Sequence, residues 1–189
     1  MPELIRTERL LLRRWREDDR EPFAEMNSDA RVMEHFPAPL DRAASDALAD
    51  RADGHIAEHG WGLWALEGAA GEDRGRFAGF TGLAVPSWEA TFMPCVEIGW
   101  RLPHWAWGRG YASEAARAAL RVAFVDVGLD EVVSFTALPN ERSQAVMRRI
   151  GMTRDIEGDF EHPRVPAGHR LQPSVLYRLT SRQWEQTNA

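Results

Sequence analysis

The chain holds one cysteine in 189 residues, so no disulfide can close within it, and a reducing compartment suits it. Cys95 has no histidine near it in the sequence, and a small buried side chain is a better reading of it than a nucleophile. No apolar run approaches the length that crosses a membrane, and the opening MPELIRTERL lacks the apolar stretch of a secretory signal. These absences point to a cytoplasmic protein with no membrane partner. A surplus of positive charge is also missing: 23 basic residues stand against 29 acidic ones, a formal net charge of -6. Broad binding to nucleic acid needs the opposite balance, so nucleic acid is not expected as a partner. No linker, repeat or low-complexity tract interrupts the chain, and with 44% hydrophobic residues a single domain over residues 1–189 is expected.

What is there is a mixture of strand and helix signals. Leu10-Leu11-Leu12 reads as a first strand, and Asp19 to Asn27 as a short helix opened by its aspartate. Pro37 and Pro39 force a loop, after which Asp41 to His59 predicts a helix stopped by Gly60. Strand patterns follow at Gly62 to Glu67, Arg76 to Val85 and Val96 to Leu102, the first two joined as a hairpin through the turn at Gly68 to Gly75. Ala112, Ala115, Ala116, Ala119, Leu120, Ala123, Phe124 and Val127 recur at helical spacing, giving one face of a helix that ends at Gly128. Their small size lets that helix approach a sheet closely. Val132 to Ala137 suits a strand buried on both faces, Asn140 opens a helix with Arg148-Arg149 in its last turn and Gly151 beyond it, and Val175 to Leu179 reads as a last strand.

The stretch WAWGRGYASEA, Trp105 to Ala115, places a glycine-rich basic turn between a strand and the alanine-rich helix. The first N–H groups of a helix are unpaired and carry partial positive charge, and glycines let an anion reach the backbone without meeting a side chain. The segment is thus a candidate phosphate cradle, with Arg109 able to add charge at its rim, although an ordinary strand-to-helix turn with two glycines explains the same residues. Other phosphate motifs fit worse: no Gly-Lys-Ser/Thr completes a P-loop, and Ser113 stands where a dinucleotide fingerprint needs its third glycine.

With its neighbours, the segment resembles the acetyl-CoA loop of the GNAT superfamily of N-acetyltransferases, in the branch of the ribosomal-protein N-terminal acetyltransferases. Thr7-Glu8-Arg9-Leu10-Leu11-Leu12-Arg13 is similar to the opening strand of that branch, and Glu97-Ile98-Gly99-Trp100 to its central strand. Trp107-Gly108-Arg109-Gly110-Tyr111-Ala112 is similar to its cofactor loop, with Ser113-Glu114-Ala115 on the helix. Asn140-Glu141-Arg142-Ser143 and Arg149-Ile150-Gly151-Met152 are similar to its later helix and exit turn. One departure is Trp107, where relatives often carry Gln or Arg. The resemblance implies an α/β (α+β) fold, a strongly bent mixed sheet of about six to seven strands flanked by helices. It also implies transfer of acetyl from acetyl-CoA to a primary amine by direct attack in a ternary complex, without a metal, and it admits a homodimer.

That chemistry asks for three groups: a base for the ammonium proton, donors for the charge on the thioester oxygen, and a donor for the leaving thiolate. Glu97 alternates with Val96 and Ile98, so it faces the other side of its strand, and apolar surroundings would raise its pKa toward that of a useful base, acting directly or through water. An exposed strand carboxylate is the plainer alternative. For the oxygen, the resemblance implies backbone N–H groups near Ile98 to Leu102, with Trp100 and Leu102 also contacting the cofactor. For the thiolate, many relatives use a tyrosine where Met147 stands here, and Ser143 is the substitute that the branch suggests. Asn140 is a helix cap, a cofactor contact, or both.

Two rivals come from other classes. His55-Ile56-Ala57-Glu58-His59 fits the H-x-x-E-H zinc motif of inverted metallopeptidases, but Gly60 should end the helix at once, and a histidine at a helix C-terminus has a plain electrostatic explanation. A catalytically silent acyl-CoA-binding regulator would share every cofactor feature. The acceptor is expected to be a small amine or a peptide N-terminus, cationic or neutral given the acidic balance. His35, Phe36 and His162 lie in segments that flank the acceptor cleft in the family, and the tryptophans offer apolar surface nearby.

Overall fold

The computed structural model describes residues 4–188, and one eight-stranded mixed sheet organises them. Strands β1 (Leu4–Arg6) and β2 (Leu10–Arg13) form the first edge. Helix α1 (Arg20–Ser28), entered through a short 3₁₀ turn, and helix α2 (Arg42–His59) follow. Next come β3 (Leu63–Gly68), β4 (Phe77–Ala84) and β5 (Glu97–Arg101). Helix α3 (Tyr111–Arg121), β6 (Glu131–Ala137), α4 (Glu141–Arg149), β7 (Thr153–Glu161), β8 (Pro173–Thr180) and α5 (Ser181–Asn188) complete the order.

Spatial order is β1-β2-β3-β4-β5-β6-β8-β7, with every neighbouring pair antiparallel except β5 and β6. That parallel pair meets in a single register position, Glu97 opposite Val133. The Val133 N–H donates to the Val96 carbonyl at 2.9 Å, and Ser134 Oγ donates to the Ile98 carbonyl at 2.8 Å. Beyond this point no ladder joins the two strands, and the sheet opens between them.

Two cores lie on opposite faces. Leu12, Leu66, Leu83 and Ile98 face α3, whose Ala115, Ala116 and Ala119 are fully buried, so the small residues do bring helix and sheet together. On the other face Phe23, Met26, Ala49, Ala65, Phe77 and Phe80 join α1 and α2 to the strands, with the Trp15 ring 4.7 Å from Phe23. The ion pair of Arg13 and Asp19, at 2.7 Å and almost wholly buried, ties β2 to the start of α1.

The expected helix boundaries hold closely. Asp41 caps α2 by accepting from the Ala44 N–H at 2.8 Å, and Gly60 ends it in the left-handed region. The helix expected to run to Gly128 does so, but residues 122–127 widen into a π-type turn. The sheet has eight strands rather than six to seven. β1 is only three residues long, and β7, TRDIEGDFE, is largely polar and half-exposed, so neither carries the apolar run that marks a buried strand. Helix α5 gave no clear signal either. No helix among the described residues is long and apolar enough to cross a membrane.

Candidate active site

The glycine turn is built as a helix entrance. Gly110 occupies the left-handed region at φ 80° and hands the chain into α3, so the first N–H groups of that helix point outward without intrahelical partners. Gly108 is also left-handed, at φ 72°, and a side chain there would meet open space. Free donors, a favourable helix end and unobstructed approach are what a pyrophosphate requires, so these residues fit the cofactor implied by the motif.

Side chains around the turn lock it rather than reach from it. Arg109 pairs with the buried Asp73 at 2.7 Å, and the Tyr111 hydroxyl donates to the same carboxylate oxygen at 2.7 Å. Arg109 thus spends its charge on Asp73 instead of standing free at the rim. Trp107 donates its indole N–H to the Leu102 carbonyl at 2.9 Å, and the Arg142 guanidinium lies 4.7 Å from its ring. An indole therefore anchors the loop. Glu114 holds the opposite side: it accepts from Thr7 Oγ1, from the Arg9 backbone N–H and from the Arg9 side chain, and Arg9 also donates to the Arg109 carbonyl. Two segments about a hundred positions apart thus close on one carboxylate, a pairing no local pattern in either segment signals.

Along β5, N–H and C=O groups of Val96, Ile98 and Trp100 turn toward β6, as the Val96 and Ile98 bonds require. At Trp100 the ladder with β6 has ended, leaving its backbone groups facing the opening. Trp100 and Leu102 thus sit between the glycine turn and the point where the strands part.

Glu97, Gly99 and Arg101 share the opposite side of the strand, the one that faces α1 and α2. The Glu97 carboxyl accepts no hydrogen bond and forms no ion pair among the described residues. The residue keeps some surface, but the recess around its carboxyl is poor in solvent, and burial pushes its pKa up to about 8. A side chain added at Gly99 would meet only the Glu97 carboxylate, at 3.7 Å, so space is open above that glycine. Cys95, two residues before Glu97, is half-buried; burial and then the Glu97 charge raise its pKa to about 11, so it stays a thiol.

Asn140 is a helix cap with every amide hydrogen engaged. Its Oδ1 accepts from the Ser143 N–H at 3.2 Å, while Nδ2 donates to Thr136 Oγ1 at 2.8 Å and to Ser143 Oγ at 3.1 Å. Since Ser143 Oγ accepts in that bond, its own proton is free to be donated elsewhere. Met147 is buried in the core, 1% exposed, and reaches no open surface.

The three acceptor-side residues fall into two groups at opposite ends of the Glu97 face. His35 and Phe36 lie in the α1–α2 loop, where Phe36 stacks 4.1 Å from the Arg101 guanidinium. His35 is kept low in pKa by burial, and its Nδ1 is sealed without a partner. His162 joins a wall of Trp88, Phe92, Phe135 and Phe160, with its ring 4.9 Å from Trp88, and burial lowers its pKa too. Phe135 lies two residues beyond Val133, the register partner of Glu97, so this wall borders the same face. His55 and His59 pack ring to ring at 4.4 Å against Trp61, and no third His, Cys, Asp or Glu joins them into a metal-holding group among the described residues.

Residues 9–153 match the acetyltransferase (GNAT) domain family. The chain belongs to this family. It is 35% identical over 129 residues to the FsC-acetyl coenzyme A-N(2)-transacetylase of Aspergillus fumigatus, covering 66% of this chain and 52% of that one, so it spans about half the length of that relative. It is 28% identical to an uncharacterized N-acetyltransferase of Bacillus subtilis, over 95% of this chain and 98% of the relative. The crystal structure of a GNAT-family acetyltransferase from Bacillus anthracis superposes with a TM-score of 0.75 at 26% identity, covering 95% and 99% of the two chains. The eight-stranded mixed sheet flanked by helices is the GNAT fold.

Proposed function

We propose that the protein is an N-acetyltransferase of the ribosomal-protein N-terminal acetyltransferase-like branch, moving acetyl from acetyl-CoA to a primary amine on a small molecule or a peptide N-terminus in the cytoplasm. The observation that carries this reading is the setting of Glu97: an unpaired carboxyl of raised pKa stands at the single register position where β5 meets β6, just before the strands part, beside the open space at Gly99.

In this reading the donors at the start of α3 and the left-handed glycines hold the pyrophosphate. Backbone N–H groups of β5 and the residue after it, near Ile98 to Leu102, take the pantetheine arm and the thioester oxygen, the Ile98 and Leu102 carbonyls being held already by Ser134 and Trp107. Acetyl-CoA supplies the acyl group; the chain supplies a proton acceptor on one side and a proton donor on the other. Glu97 takes the ammonium proton, directly or through water, and with a pKa of about 8 it matches that task near neutral pH. Ser143, held by Asn140 with its proton free, donates toward the sulfur. Cys95 remains protonated, which supports direct attack by the amine over an acetyl-cysteine intermediate.

A thiol-release assay with acetyl-CoA and a broad amine panel, with products identified by mass spectrometry, tests the proposal. Background is low by construction, because all 23 basic residues are arginine and the protein presents no lysine amine of its own. Acetylated product from at least one amine, lost on Glu97→Gln, is expected. CoA binding without any product would favour the silent acyl-CoA-binding regulator instead.

A further inference from the structure

Arg101 is half-buried, and its partners do not account for its charge. Its Nη1 donates to Asn27 Oδ1 at 2.6 Å, its Nε is sealed from solvent with no partner, and no carboxylate among the described residues pairs with it. The flat guanidinium is sandwiched near two rings, 4.1 Å from Phe36 and 5.5 Å from Phe80. A neutral amide oxygen and two aromatic faces leave a full positive charge uncompensated, in contrast to buried Arg13, which holds Asp19 and Glu67 together. Burial lowers the Arg101 pKa to about 10, which still leaves it charged at neutral pH.

Its surroundings add to the imbalance. The α1–α2 loop that carries Phe36 also receives Arg142, whose Nη1 lies 3.8 Å from Glu34, and Arg170, which donates to the Glu34 carbonyl at 2.9 Å. Three guanidiniums from elsewhere in the chain, Arg101, Arg142 and Arg170, therefore gather around that loop, whose own Asp29 is taken by Arg31 and whose Asp41 caps α2. Between Arg101 and Glu97 lies only Gly99, with open space above it.

We propose that Arg101 is a specificity-determining residue that binds a carboxylate of the acceptor, so that the preferred substrate is an amine carrying a carboxylate several bonds away. This inference rests on the acetyltransfer reading for the identity of the other end. A guanidinium pairs with a carboxylate through parallel hydrogen bonds, and that pairing would satisfy the charge which the protein leaves unanswered. Four residues of strand separate the two anchoring positions, roughly 13 Å at about 3.3 Å per residue, which suits a short peptide or an ω-amino acid better than an α-amino acid.

The test uses the full chain with CoA bound. Dipeptides and ω-amino carboxylates of increasing length are each compared with their own carboxamide and with the matching phosphonate, first for binding by calorimetry and then for acetylation with acetyl-CoA. Wild type should prefer the carboxylate over the carboxamide by roughly tenfold or more at the best length, the usual effect of leaving a buried charged donor unpaired. Arg101→Met should bring that ratio near one while CoA binding and carboxamide binding change little. Asn27→Asp keeps the guanidinium but supplies an internal carboxylate, and it should erase the preference as well. Equal binding of carboxylate and carboxamide by wild type, a preference for the phosphonate, or equal losses for both ligands in the two variants would overturn the proposal. Discrimination in binding without acetylated product removes the acetyltransfer reading and keeps the carboxylate site; acetylation without discrimination does the reverse.

Discussion

Arg9 and Glu114, 105 positions apart, meet in a 2.6 Å ion pair that fastens the first strands to the helix behind the glycine turn. Arg9 Nη1 continues from that pair to the Arg109 carbonyl, so one side chain holds both the helix and the turn. Half of the arrangement is solvent-facing, with Arg9 41% and Glu114 16% exposed, and its Coulomb part is correspondingly screened. Glu114→Gln retains an acceptor oxygen but loses the charge. It should cost about 1–2 kcal/mol of stability, the range for hydrogen bonds to a charged group after screening. CoA affinity should fall with it, because the turn loses its brace. Denaturant midpoints and CoA titration check both, and a variant with normal CoA affinity would show that the brace is dispensable for the turn.

A second expectation concerns Gly110. At φ 80° a β-branched residue is strained, and its Cβ would stand 3.4 Å from Arg9 Nη2. A ligand that binds only the native state raises its stability by RT ln(1 + [L]/Kd), so CoA should raise the melting temperature of wild type. Gly110→Val should lose most of that rise while remaining folded. If its CoA-induced shift equalled that of wild type, the turn would not be the pyrophosphate site.

Much of this was legible because the residues that position the site are punctuation or periodic apolar positions. Gly60, Gly110, Gly128 and Asn140 bound helices from the sequence alone, and the alanines of α3 marked their own buried face. Glu97 was legible through strand alternation, and the same alternation, carried two steps further, would have placed Gly99 and Arg101 beside it. Long-range pairing was not legible. Nothing local in Asp73 says that it will receive Arg109 and Tyr111, and nothing in Glu114 says that Thr7 and Arg9 will close on it. The parting of β5 from β6 depends on register, which two such short strand patterns do not encode. β7 was missed because its polar residues are paid for by ion pairs such as Asp155 with Arg178, rather than by burial.

Ser143 and Asn140 make a separable pair. Ser143→Ala removes one donor to the leaving sulfur and leaves the cap intact, so turnover should fall several-fold with stability nearly unchanged. Asn140→Ala removes the cap, costing about 1 kcal/mol, and also frees the Ser143 hydroxyl from its orientation. It should therefore lower both stability and turnover. Turnover with acetyl-CoA and thermal melts of the two variants distinguish these effects, and an unchanged rate for Ser143→Ala would remove the hydroxyl from the chemistry.

Glu97 carries the sharpest pH expectation. Its pKa in the folded protein is raised by burial from 4.5 to about 8, so between those values the folded state holds a proton that the unfolded state has released. Its contribution to stability is complete below about pH 4.5, declines as pH rises through 8, and is then constant. Glu97→Gln abolishes this dependence, so the variant should gain on wild type across that window and keep a fixed advantage above it. The rate should run the other way. Wild-type kcat/KM should climb with pH until the carboxyl ionises near pH 8, whereas Glu97→Gln should lack that limb and be slower by roughly 10²- to 10⁴-fold, the usual contribution of a positioned base. CoA affinity should be nearly the same in both, since the carboxyl lies on the acceptor side of β5. Paired measurements of melting temperature and kcat/KM from pH 5 to 9 test the two trends together. A stability gain without a loss of rate would mean that the buried carboxyl is a structural burden rather than the base.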